Sequence, residues 1–107
     1  MSQRYLYHVT PADNLASIQL AGLDPNRATG ARPLVWLVTS SMIPWATMHT
    51  CRRHRVTTGS LYVCHVTVDH ARLLRTNKRG VWACPDRLPI QWAIHIFDLP
   101  DTGALKR

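Results

Sequence analysis

The sequence predicts an α+β domain with a mostly antiparallel sheet and two short helices, on three observations. Short β-branched and apolar runs recur along the chain, helical spacing is confined to its N-terminal half, and the later strands are joined by connections too short for helical crossovers. A parallel sheet would need a dozen or more residues at each crossover. At 107 residues the chain has the size of a single domain, spanning residues 1–107, with enough length to bury one real core.

Residues 4–9 read as a first strand, rich in aromatic and β-branched side chains, leading into Thr10-Pro11-Ala12-Asp13, which has the form of a helix start. Thr10 is the expected cap, Pro11 the first helical residue, and Asp13 complements the exposed amides. Leu15 and Ile18 recur at helical spacing, Gly22 ends the helix, and Leu23 offers the hydrophobic contact beyond it. Residues 24–32, with Pro25, Asn26, Gly30 and the arginines Arg27 and Arg32, read as an exposed loop bordering a cleft. Residues 34–39 read as a buried strand, and Ser40-Ser41 as caps of a second helix that holds Pro44, Trp45, Met48 and Cys51 and finishes in Arg52-Arg53-His54-Arg55.

After a loop over residues 57–60, residues 61–69 carry the strongest strand pattern, through Tyr62, Val63, Val66, Thr67 and Val68. A turn over 69–74 and a basic polar segment over 75–80 follow. Residues 81–84 give a short strand, 85–89 a loop, and 90 or 91 to 99 a closing strand, with 100–107 a frayed tail.

The composition, 46% apolar and 18% charged, is that of a folding chain. No apolar run is long enough for a signal peptide or a membrane span, and the odd count of cysteines (Cys51, Cys64, Cys84) suits free thiols, so a cytosolic protein with no membrane partner is expected. The net charge is +7; eleven of the thirteen bases are arginine, and all six acids are aspartate. Such a field favours polyanions, and the planar guanidinium matches phosphate oxygens, although a solubility charge with no partner accounts for it equally well.

Several chemistries are disfavoured by what the motifs lack. There is no G-x-S-x-G elbow for a serine hydrolase, no glycine-rich phosphate loop, and no pairing of carboxylates for acid-base work. Cys51-x-x-His54 and Cys64-His65 are a weak zinc signal, because neighbours on one strand point to opposite faces. The arginines form three clusters: Arg27 with Arg32, then Arg52-Arg53 with Arg55, then those from Arg72 through Arg79 with Arg87. In the middle cluster a helix C-terminus stabilised by bases is as good a reading as a ligand site. His8, between a strand and a helix start, is either a cleft residue or a core histidine bonded to backbone.

Taken together the segments follow a known order of motifs. Tyr7-His8-Val9-Thr10, Asn14-Leu15-x-Ser17-Ile18 and Gly22-Leu23-x-Pro25 are similar to the opening of the NAD-binding lobe of the RNA 2'-phosphotransferases and other proteins of ADP-ribosyltransferase fold, which begin Y-H-G-T and continue through S-I and G-L. Val35-Trp36-Leu37-Val38-Thr39-Ser40 resembles that family's H-V-H-L-S strand, Arg52-Arg53-His54 its R-H-G segment, residues 61–68 its next strand, and Gly80-Val81-Trp82 with Leu88-Pro89 its G-V-W-L and V-P ending. The likeness spans residues 5–92. Val9 stands at the glycine of Y-H-G-T, and Arg55 at the glycine after R-H.

The resemblance implies a split, mostly antiparallel sheet of ADP-ribosyltransferase type and NAD as cofactor. His8 would bind its ADP-ribose part, Tyr7, Thr10, Trp36 and Ser40 would line its pocket, and Arg53 would bind phosphate, with Arg27, Arg32, Arg52 and Arg55 as further phosphate or nucleic-acid contacts. His8 and Arg53 are then the catalytic candidates. In the family a 2'-phosphate on RNA attacks the nicotinamide ribose, nicotinamide leaves, and a ribose hydroxyl then displaces the RNA. Positioning and charge neutralisation suffice for this chemistry. Protein-modifying relatives of the fold generally use a glutamate, which this composition lacks. The implied partners are a nucleotide, RNA or DNA, and a partner subunit in place of the family's additional N-terminal lobe. The alternative function is a non-catalytic module, or an inhibitor, that keeps the same pocket for a nucleotide or an RNA end.

Overall fold

The structure, a computed structural model, describes residues 3–27 and 32–99. Strands β1 (Gln3–Pro11), β2 (Val35–Val38), β3 (Leu61–Asp69), β4 (Leu74–Arg75), β5 (Val81–Cys84) and β6 (Trp92–His95) form a single sheet in the order β4-β5-β2-β1-β3-β6. All of these strand pairings are antiparallel. Helices α1 (Leu15–Ala21) and α2 (Ile43–His54) lie between β1 and β2 and between β2 and β3 along the chain. The α+β class expected from the strand and helix spacing is the class observed.

Alternation along each strand sends successive side chains to opposite faces, and both faces are covered. Leu6, Val35, Leu37, Cys64, Val66 and Cys84 pack on one face with Ile18 of α1, Leu23 and Leu88. Tyr7, Val9, Val38, Leu61, Val63 and Val81 pack on the other with Ile43 and Ala46 of α2. Burying each such Leu or Val is worth roughly 1.5–3 kcal/mol. Cys64 and His65 do face opposite ways: Cys64 joins the core on the α1 side, and His65 stacks with Trp92 beside Tyr7. Burial pushes the Cys64 thiol up to about 12, so it stays protonated and inert.

Pairing across the sheet is uneven. β1 and β3 pair from Gln3↔Asp69 to Pro11↔Leu61, and β2 pairs with β5 along its whole length, whereas β1 and β2 meet at Tyr7↔Val38 alone.

The local signals for helix starts are overridden. β1 takes in Thr10 and Pro11, which pair with Tyr62 and Leu61, so Thr10 is not a cap and Pro11 is not a first helical residue. The long ladder with β3 outweighs a capping bond, and Pro11 is tolerated as the strand's last residue. A 3-10 turn over Ala12–Asn14 follows, and α1 starts at Leu15 without a side-chain cap. Ser40 and Ser41 likewise belong to a 3-10 turn, Ser40–Met42, ahead of α2; the Ser41 hydroxyl bonds that of Thr39 at 3.1 Å.

The helix ends follow expectation more closely. Gly22 bonds Ile18 O through its N–H at 2.7 Å and adopts φ 79°, ψ −175°, a region essentially reserved for glycine. Leu23 beyond it is buried and pairs with Leu88. α2 closes on Arg55, left-handed at φ 55°, ψ 46°. The loop read over 24–32 contains a 3-10 turn, Pro25–Arg27, whose Pro25 is buried; residues 28–31 fall outside the described residues. Leu74 and Arg75, read as the end of a turn and the start of a basic polar segment, form the edge strand β4, and the closing strand is only Trp92–His95 before a 3-10 turn over Ile96–Asp98. The frayed tail expected over 100–107 lies outside the described residues.

Candidate functional site

Where β1 and β2 part beyond Tyr7↔Val38, the sheet opens into a cleft of about 820 Å³. Its walls come from both faces of the sheet. Ser17 and Ile18 of α1, with Asp24 and Arg27 after it, form one; Trp45, His49, Thr50, Arg53 and His54 of α2 form the other. The lips are residues 7–11 of β1 and Val35, Trp36 and Val38 of β2, while Thr76, Asn77 and Lys78 come in from the connection between β4 and β5.

His8 stands at the split. Its Nδ1 lies 2.8 Å from the carbonyl oxygen of Trp36 and, since a carbonyl only accepts, carries the proton that bridges the two parted strands. A side chain thus takes a carbonyl that a continued ladder would have given to a backbone N–H. Burial lowers the His8 pKa below the ordinary value near 6.5; the Trp36 carbonyl opposes the shift and nearby His54 adds to it. At neutral pH the ring is therefore neutral, fixed in orientation by Trp36, with Nε2 left as an acceptor.

The cleft is electropositive. Arg27, Arg53 and Lys78 line it against one carboxylate, Asp24, which accepts from the Asn26 N–H at 3.0 Å and pairs with Arg87 at 3.5 Å. Arg27 donates to Ser17 Oγ at 2.6 Å, which holds its guanidinium at the α1 wall. Thr10 is buried, and its hydroxyl accepts from the Asn14 amide at 3.4 Å. Trp36 is 45% exposed and presents an open ring at the lip. The arrangement offers cations for phosphate, a ring for stacking, and a neutral imidazole acceptor.

Of the residues singled out from the sequence, Tyr7, His8, Thr10, Trp36, Arg27 and Arg53 meet at this cleft. Ser40 lies buried in the turn before α2, and Arg32, Arg52 and Arg55 are exposed; none of these four lines it. Arg55 instead terminates α2, its N–H bonded to Cys51 O. In the third cluster Arg72 pairs with Asp86 at 2.9 Å and Arg87 with Asp24.

Sequence reasoning passed over Trp45, His49 and Lys78. The first two were legible, since positions 45, 49 and 53 are spaced by four on a helix already recognised. Lys78 was not, because the pairing of β5 with β2 and β4 is what brings it to the cleft.

Fold and site together define an α+β protein with an electropositive cleft set in the split of an antiparallel sheet. Compared with known proteins, the chain matches no family model, no curated protein and no solved structure.

Proposed function

We propose that this cleft binds NAD and that the protein transfers the ADP-ribose group to a phosphate or nucleic-acid acceptor, releasing nicotinamide, as the motif resemblance to the RNA 2'-phosphotransferases implies. The observation that carries the reading is the position of His8: neutral, anchored to Trp36 O at 2.8 Å, at the point where the sheet parts. The donor set suits a dinucleotide. Arg27 and Arg53 on opposite walls would hold its pyrophosphate, the Trp36 ring would stack on a base or on nicotinamide, and His8 Nε2 would accept from a ribose hydroxyl.

Bound NAD supplies a positively charged leaving group on a ribose carbon. The chain's own part is to orient, to neutralise charge and to exclude water. Arginines near an anionic acceptor lower the repulsion between it and the pyrophosphate, and no strong general base is needed when the acceptor is already ionised. The absence of a helix long and apolar enough to span a membrane among the described residues, and the three free thiols, support action in the cytosol.

Incubation with NAD and a 2'-phosphorylated or terminally phosphorylated oligonucleotide should release nicotinamide, and His8→Ala and Arg53→Ala should each abolish the release. Absence of nicotinamide from the wild-type reaction overturns the catalytic reading. A second reading is a non-catalytic module, or an inhibitor, that keeps the same pocket for a nucleotide or an RNA end and uses the same cations, Trp36 ring and His8 acceptor without turnover. Calorimetry would then show NAD or ADP-ribose binding that the same variants only weaken.

A further inference from the structure

Beside Arg53, the α2 wall carries two residues that the cofactor reading leaves unused, Trp45 and His49. Trp45, His49 and Arg53 fall at i, i+4 and i+8, share one stripe of the helix, and all line the cleft. The His49 ring stacks on Trp45, 5.1 Å between centroids and 14° between planes, and the Lys78 ammonium lies over the same indole, 5.0 Å from its centroid. Lys78 is fixed from behind as well. Its N–H donates to Thr76 Oγ1 at 3.2 Å, and that hydroxyl reaches the Val81 carbonyl at 2.7 Å.

A lysine normally loses up to about 2 kcal/mol of rotamer freedom when it is immobilised on a ligand. Here part of that freedom is already gone, because cation–π contact and the Thr76 turn hold the head and the backbone. Neither Lys78 nor His49 has a carboxylate partner among the described residues. The ammonium and the indole N–H can only donate, which suits an anion and offers nothing to the amide donors of a peptide.

We propose that Lys78 and His49, positioned by Trp45, form a second phosphate subsite that takes the phosphate of an acceptor nucleic-acid strand while the His8 side takes the dinucleotide. The division of labour rests on the reading of the His8 side given above. The phosphate subsite itself stands on the Trp45 cluster alone.

The test follows a short single-stranded RNA with a terminal phosphate by fluorescence anisotropy across a salt series, and ADP-ribose and NAD by calorimetry. Wild type is compared with Lys78→Gln and His49→Gln, both at exposed positions, with circular dichroism to verify folding. Each substitution should weaken RNA binding about tenfold, as loss of a charge-assisted contact does, and Lys78→Gln should reduce the slope of log K against log salt by about one. ADP-ribose affinity should stay within about twofold, since neither change touches the His8 side.

Removing the terminal phosphate from the RNA should weaken wild type by more than either substitution does and erase the difference between wild type and the variants. The proposal is overturned if the RNA does not bind wild type, if Lys78→Gln leaves affinity and slope unchanged, or if ADP-ribose binding falls in step with RNA binding. That last result would assign the cluster to the dinucleotide's own pyrophosphate. Failure of the His8 reading has a different signature: wild type binds neither NAD nor ADP-ribose, yet its RNA binding still depends on Lys78.

Discussion

His8 supports the fold through one of its two ring nitrogens. Nδ1 closes the gap between β1 and β2 by donating to Trp36 O, a bond that favours the charged ring, but burial opposes the charge more strongly and lowers the pKa. Because the folded pKa is lowered, the unfolded chain takes up the proton first as pH falls. The His8 contribution to stability is therefore whole above the ordinary imidazole value near 6.5 and is lost as pH drops below it toward the lowered folded value. Urea midpoints at about pH 7.5 and pH 5.5 measure this. The drop should be smaller in His8→Gln, which retains a donor for Trp36 but does not titrate; an equal drop in both proteins would show that His8 is not the titrating group.

At the scale of elements, the end of α2 stores strain. Arg55 is the one non-glycine residue with positive φ among the described residues, at a position where glycine carries no steric penalty. Left-handed backbone costs an L-residue about 1–2 kcal/mol, partly offset by glycine's greater freedom when unfolded, so Arg55→Gly should stabilise the protein by roughly 0.5–1 kcal/mol. A lower thermal midpoint for that variant would contradict the account.

The elements themselves were mostly visible in the sequence. Residues 61–69 and 81–84 formed strands over the range their β-branched pattern suggested, and Gly22 stopped α1 where it should. The starts of both helices were misplaced because local capping signals at Thr10 and Ser40 lost to long-range pairing and to 3-10 turns. β4 was invisible for the same reason: Leu74-Arg75 is a strand only because β5 lies beside it. In the site, the β1 motif pointed to His8, but the bond to Trp36 spans two strands that no local pattern relates.

Over the whole molecule, the +7 charge is not spread evenly in effect. Arg72 and Arg87 pair with Asp86 and Asp24, while Arg27, Arg53 and Lys78 line the cleft, where Asp24 is the one acid among the described residues. The focused field should make ligand capture depend on ionic strength. If the RNA neutralises about one phosphate at its own subsite, raising salt from about 50 to 200 mM should weaken a phosphorylated RNA bound beside NAD roughly threefold. Titrations over that range would read a flat profile if the basic excess served solubility alone.

The junction at Tyr7↔Val38 also fixes how the protein comes apart. The strands fall into two plates, one of β1, β3 and β6 and one of β2, β4 and β5, clasped at one register position and by the side chains packed across it, notably Ile43 and Ala46 of α2. Amide hydrogens within the long β1–β3 ladder should exchange last, and those at the β1–β2 junction should be released by smaller openings. A molecule wedged between the plates touches both, so its occupancy would slow exchange far from its own contacts.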